Sequence, residues 1–172
     1  MIFEAKKLLE EIIKEAVPGS TVVKSAAEES REIMARKFPV IALITNPGSF
    51  DNSEARTVRY FEGEPKQYRE RYVRGCRKLP ILIRCWEDGE DKADELVSNI
   101  IPEIPSQWEC GGFANHVQIG AEEHSDHTGS LNKPYVSVIE VIFISTAARK
   151  PKTVPVIDTV ESESGDISPN KT

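Results

Sequence analysis

The stretch His116–Thr146, "HVQIGAEEHSDHTGSLNKPYVSVIEVIFIST", decides the fold. Two segments that read as strands flank a polar stretch of glycine, acids, histidines and serines. The second segment, from Tyr135, is β-branched and apolar enough to lie centrally in a sheet. A parallel pair needs a crossover of a dozen or more residues, usually a helix, and the connection here holds Gly129 and no helical periodicity. The two segments are therefore expected to pair as an antiparallel hairpin.

Upstream, "YRERYVRGCRKLPILIRCWE", Tyr68–Glu87, predicts another strand with a break near Gly75. Ile81, Ile83 and Cys85 alternate with Leu82, Arg84 and Trp86, and Pro80, which lacks an N–H, is expected at a strand start or edge. "FPVIALITNPGS", Phe38–Ser49, reads as a buried strand running into a turn at Asn46-Pro47-Gly48, and "ARTVRYFE", Ala55–Glu62, as a strand with one wet face. "TVVKS" adds a short strand after the turn at Pro18-Gly19.

Helical spacing appears in three places. Ala5, Leu8, Leu9, Ile12, Ile13 and Ala16 fall on one face of an opening helix. Ser25 and Glu28 have the spacing of a capping box for a second. In "EDGEDKADELVSNIIPEIP", Glu87–Pro105, Asp88 or Asp91 is the expected N-cap, acids fill the first turn, Leu96, Val97, Ile100 and Ile101 form the buried face, and Pro102 and Pro105 end the helix. Strands that come in runs place the chain in the α+β class. The expectation is an antiparallel or mixed β-sheet of about four to six strands with two or three helices packed on one face. Residues 1–149 form one domain, and 150–172, rich in Pro, Lys, Ser, Glu and Asp, form a flexible C-terminal tail.

Composition narrows the function classes. At 172 residues with 39% hydrophobic residues the chain supports one modest core. A formal charge of −6 disfavours a free-standing nucleic-acid binder, whose affinity rests on neutralising phosphates. Cys76, Cys85 and Cys110 are odd in number and widely spaced, which suits reduced thiols in a cytoplasm. Charges interrupt the apolar residues of the first helix, so neither a signal-peptide core nor a membrane span is expected.

The polar stretch Glu122–Ser130 is the first candidate for chemistry. His124 and His127 with Glu122, Glu123 and Asp126 supply imidazole and carboxylate, ligands that suit zinc, but in a loop register and not the HExxH helix. If the strand continues through His124, Glu122 and His124 share a face and Glu123 points away, half a ligand set. Ser125, Asp126 and His127 are the residue types of a triad, yet a triad needs side chains converging from separate elements. An exposed charged hairpin is the simpler reading. The acidic run Glu87–Glu95 has Gly89 too early for a calcium loop, and helix capping accounts for it. "WECGGF", Trp108–Phe113, lacks both phosphate-loop patterns and reads as a tight connection.

The segment Tyr68–Lys78 interleaves Arg69, Arg71, Arg74, Arg77 and Lys78 with Tyr68 and Tyr72. On an acidic chain, arginine and tyrosine together point to an interface with the acidic surface of another copy, ahead of a solvated strand or a nucleic-acid contact. Arg84 and Glu140, isolated charges on apolar strands, would satisfy each other if those strands are neighbours, or else reach a subunit boundary.

In order of elements, the opening helix, "FPVIALIT", the Arg-rich lead into "LPILIRCWE", the helix "DKADELVSNIIPEI" and the closing strand pair with its polar hairpin resemble the tail-terminator or tail-completion proteins of long-tailed bacteriophages and related phage-like particles. The resemblance runs from about Glu4 to Ser145. The chain departs from that family between Pro47 and Arg74 and after Lys150. The resemblance implies a non-enzymatic structural protein with no catalytic residues, cofactor or metal, forming a homo-hexameric ring that caps the tail tube and joins it to the head-completion protein. DNA would pass through the lumen without specific binding. The protein would occupy the host cytoplasm during assembly and then the virion tail or neck, with no membrane partner. Arg69, Arg71, Tyr72, Arg74, Glu122, Glu123 and Asp126 would then be subunit or tube contacts. The alternatives are a small metal-dependent hydrolase using the Glu122–His127 loop, and a monomeric protein-binding adaptor domain.

Overall fold

The sheet is assembled around one strand. The computed structural model describes residues 1–53, 55–61, 67–110, 113–125, 134–148 and 152–155. In chain order these form α1 (Ile2–Ala16), β1 (Thr21–Val23), α2 (Ala26–Met34), β2 (Val40–Thr45), β3 (Ser49–Asp51), β4 (Arg56–Phe61), β5 (Gln67–Glu87), α3 (Glu90–Ile100), a 3-10 turn (Ile101–Glu103), β6 (Gln107–Cys110), β7 (Phe113–Ser125), β8 (Tyr135–Ala148) and β9 (Lys152–Pro155). The main path of the sheet is β1-β2-β5-β8-β7-β6, and β3, β4 and β9 also pair with β5. β1 is parallel to β2 and every other pairing is antiparallel, so the sheet is mixed and the fold is α+β. The His116–Thr146 stretch pairs as its sequence predicts, with Val117 opposite Phe143 and Ile119 opposite Val141. The expected hairpin tip at 126–133 lies outside the described residues.

Alternation sorts the strands onto two faces. Ile41 and Leu43 of β2, Ile81, Ile83 and Cys85 of β5, and Ile139, Val141 and Phe143 of β8 point to one side and pack against Ala5, Leu9 and Ile13 of α1 and Leu96, Val97 and Ile100 of α3. Trp108 from β6 closes this core with its ring edge against Phe143, centroids 4.9 Å apart. Val40 and Ala42 point the other way and, with Val23, Phe38 and Trp86, form a smaller cluster on the α2 side. The helices are thus not confined to one face. The parallel β1–β2 pair requires a crossover, and α2 supplies it on the side opposite α1 and α3.

Several local expectations need correction. Pro80 is neither at the start nor on the outer edge of β5: it lies opposite Ile142 of β8 in mid-strand. On its other side the β2 ladder has reached Thr45 opposite Ile81, and the Asn46 amide donates to the Pro80 carbonyl at 3.0 Å. Proline cannot return that bond, so Pro80 is where the β2 ladder stops. Gly48 then passes so close to β5 that a Cβ there would stand 2.7 Å from the Lys78 carbonyl oxygen. The break expected near Gly75 is a bulge: Val73 opposes Ala148 and Gly75 opposes Ala147, leaving Arg74 as the extra residue. The α3 N-cap is Gly89, neither Asp88 nor Asp91; Asp88 instead accepts from Lys92 at 2.7 Å. Ser25 caps α2 as expected, accepting from the Glu28 amide at 3.3 Å, while the Glu28 carboxylate takes the Lys24 amide at 3.1 Å. The presumed tail from residue 150 contains β9, paired with Gln67–Glu70.

Candidate functional site

The Arg–Tyr segment is the middle strand of an arm. Beyond the Arg74 bulge, β5 leaves β8 and runs between β4 and β9, with Arg56 opposite Val73, Arg59 opposite Glu70, Arg69 opposite Thr153 and Glu70 opposite Lys152. Arg69, Tyr72 and Arg74 are exposed, as are Arg56, Thr57, Val58 and Arg59 of β4, and Arg71 is partly buried. By strand alternation, Arg56, Val58, Arg69 and Arg71 share one surface of the arm. The opposite surface carries the Arg59–Glu70–Lys152 row, in which one acid is flanked by two cations across the strands. From Arg56 to Arg74 the sequence has six cationic residues, Arg56, Arg59, Lys66, Arg69, Arg71 and Arg74, against Glu62, Glu64 and Glu70, a net of +3 in a chain of net −6. The arm therefore concentrates positive charge on an otherwise acidic body.

Gly75 makes this departure possible. Its φ is +150°, and a Cβ there would lie 2.1 Å from the Asp51 carbonyl oxygen and 2.8 Å from Asn52 Cα. The chain of β3 crosses directly over the bulge, in space that only a glycine leaves open.

The acidic stretch is at the other end of the sheet. Glu122 and Glu123 of β7 are exposed and lie opposite Ile139 and Val138, whose own partners on β5 are Ile83 and Arg84. Tyr72 and Arg84 are twelve residues apart along β5, at most about 40 Å at roughly 3.3 Å per residue. The structure does not bring the sequence-predicted contacts together; it sets the basic and acidic ones far apart along β5. A second bulge shapes this end: Ile119 opposes Val141 and Glu122 opposes Ile139, so Gly120 and Ala121 together face Glu140. Glu140 packs over Gly120, with its Oε2 2.5 Å from where a Cβ would be. Asp126 and His127 lie outside the described residues. Among the described residues no three His, Cys, Asp or Glu side chains are grouped to hold a metal ion.

Arg84 and Glu140 do not form the pair considered from sequence. Arg84 reaches Glu29 on α2 at 3.3 Å, and Trp86 Nε1 donates to the same carboxylate at 2.7 Å. Glu29 is 4% exposed, so α2 buries a charge against the sheet with two donors on it. A second polar link lies at the sheet: the Ser137 hydroxyl donates to Asp94 at 2.6 Å and ties α3 to β8. In the β7–β8 register Ser137 stands opposite His124, but the serine is 2% exposed, which shields its hydroxyl from any substrate in solution. Cys85 is sealed in the core, and burial pushes its thiol up to about 12, which keeps it neutral and unreactive.

The sequence reading missed a groove between α1 and β6. It is about 260 Å³ and is lined by Glu4, Lys7, Leu8 and Glu11 on the helix and by Pro105, Gln107, Trp108 and Glu109 on the other wall. "WECGGF" was legible only as a connection because a four-residue strand is too short to show periodicity. No helix among the described residues is long and apolar enough to cross a membrane. No protein-family model matches the chain, and no characterised protein matches it significantly in sequence.

Proposed function

We propose that this chain is a non-enzymatic structural protein of phage tail assembly, which forms a ring of its own copies on the tail tube and joins it to the head-completion protein. The observation that carries the reading is the separation of charge along β5. A basic arm leaves one end of the sheet, and Glu122 and Glu123 sit at the other. Surfaces of unlike sign at different places on one chain favour head-to-tail contacts, which close into rings when the rotation permits. An isologous dimer would instead need one self-complementary patch. The order of elements, which resembles that of tail-terminator and tail-completion proteins, supplies the particle and the partners.

In this reading the protein assembles in the host cytoplasm and ends in the virion tail or neck. The acidic β7 end faces a basic neighbour, or the lumen, where like charge keeps DNA from sticking.

Native mass spectrometry of tag-free protein over a wide concentration range tests the proposal. A closed ring without bound metal, six subunits being the expected number, supports it. A monomer at every concentration carrying one metal ion sinks it and directs attention to His124 and His127.

A further inference from the structure

The groove between α1 and β6 has three properties that together describe its occupant. First, β6 ends the sheet, and among the described residues only β7 pairs with it. The Val117 amide donates to the Ser106 carbonyl at 3.0 Å, which in an antiparallel ladder makes Trp108 and Asn115 the next mutually bonded pair. The N–H and C=O groups of Gln107 and Glu109 consequently face outward, ready for another strand. Second, Trp108 lines the groove at 7% exposure, and its indole Nε1 is buried without an acceptor among the described residues. Third, Glu4, Glu11 and Glu109 are set against the single lysine Lys7, with the terminal ammonium of Met1 on Glu4 and Lys7 3.7 Å from Glu11. At about 260 Å³ the space is below the ~300 Å³ where small-molecule pockets begin and holds one long side chain.

We propose that this groove receives an arginine from the arm of a second copy of the chain, whose edge strand β4 lies along β6. An arginine-bearing strand suits the first and third properties. The arginine's fork of donors meets carboxylates at the rim, and the strand completes the open edge. Arg56 lies on β4, and Arg69 lies on the adjacent strand of the same arm surface; both are exposed. The proposal rests on the self-assembly reading above but gives the arm a different receptor from the acidic β7 end, which is then left to the lumen: arm of one copy, α1–β6 groove of the next. Arm and groove are different places on the molecule, so the contact is head-to-tail.

The test uses the full chain in two charge-reversed forms, Arg56→Glu/Arg69→Glu in the arm and Glu11→Arg/Glu109→Arg in the groove, each checked for an unchanged circular dichroism spectrum. The expected result by native mass spectrometry is at least a tenfold weaker self-association for each alone. Mixing the two at equal concentration restores assembly with a 1:1 composition, because each interface then again joins a cation to an acid. Assembly of both variants as in the wild type overturns the contact while leaving the ring reading intact. So does loss of assembly in Glu122→Lys/Glu123→Lys but not in the groove variant, which would place the receptor at the β7 end. A mixture that fails to assemble overturns the pairing of these two surfaces. A wild type that stays monomeric at every concentration overturns both this contact and the ring.

Discussion

The two halves of β5 are one continuous strand in two different environments. From Ile81 to Trp86 it lies between β2 and β8, and Leu79, Ile81, Ile83 and Cys85 are sealed under α1 and α3. From Tyr68 to Glu70 it lies between β4 and β9, and Arg69, Tyr72 and Arg74 are exposed. Over these two stretches the backbone is paired on both sides. What differs is what the side chains face, so hydrophobic burial stabilises the first half and mainly cross-strand pairing supports the second. Backbone pairing extends a strand beyond its core, and the residues it carries there are left for a partner.

The strongest way to break this contrast is to truncate an apolar side chain in each region. Phe143 is fully buried against Trp108, and Phe143→Ala is expected to lower stability by about 3–5 kcal/mol. Val58→Ala in the arm, where the side chain is 37% exposed, is expected to change it by no more than about 0.5 kcal/mol. Urea unfolding measures both, and equal effects would mean that the arm is covered in solution.

Gly75 sits at the boundary. Gly75→Ala places a methyl 2.1 Å from a backbone oxygen at a positive φ and should cost about 1–3 kcal/mol. Limited proteolysis should then show cutting in the arm before the body. An alanine variant as stable and as protected as the wild type would show that the β3 crossing over the bulge is not fixed.

Glu29 sharpens the body side of the comparison. Replacing it with Gln keeps the shape but removes the charge that Arg84 and Trp86 bind, at an expected cost of about 1–2 kcal/mol, the lower range because Arg84 is itself partly in water. A change in tryptophan emission would report a rearranged Trp86 hydrogen bond, and an unchanged spectrum and stability would argue that α2 is held by its apolar contacts alone.

The smallest effect is expected from pH. Lys14 and Lys24 hydrogen-bond the Glu10 carboxylate and hold it down at about 2, below an ordinary glutamate. A depressed folded-state value means that the stability it contributes is complete above about pH 4.3 and fades as pH falls toward 2. Comparing acid unfolding of Glu10→Gln with the wild type should therefore show a difference at neutral pH that closes below about pH 4. A difference that grows with acidification would contradict the pairing.

Legibility in the sequence followed how local each cause was. The Ile81-Ile83-Cys85 alternation, the three-and-four spacing of Ala5, Leu9 and Ile13, and the Ser25 cap are each set by neighbours within a few residues, and each is present. Pro80 was misjudged because its tolerance depends on where a strand 35 residues earlier stops. The Asp88 and Asp91 carboxylates compete with a glycine for one cap position, and Lys92 one turn on takes Asp88. β9 has a tail-like composition, and only the partner strand Gln67–Glu70 makes it a strand.

The same division holds for the candidate site. The sequence by itself determined which residue types lie together on the chain: a run of arginine and tyrosine, a run of acids and histidines, and the periodicities that make a mixed α+β core. Tertiary structure alone decided that the first run is the spine of an arm, that the acids lie toward the other end of the same sheet, and that Glu29, not Glu140, neutralises Arg84. It alone also placed Trp108 beside α1 at an open edge. The physical reason is that side-chain pattern is fixed by local geometry, whereas register, crossover side and the meeting of distant strands are settled by burial and backbone pairing summed over the whole sheet.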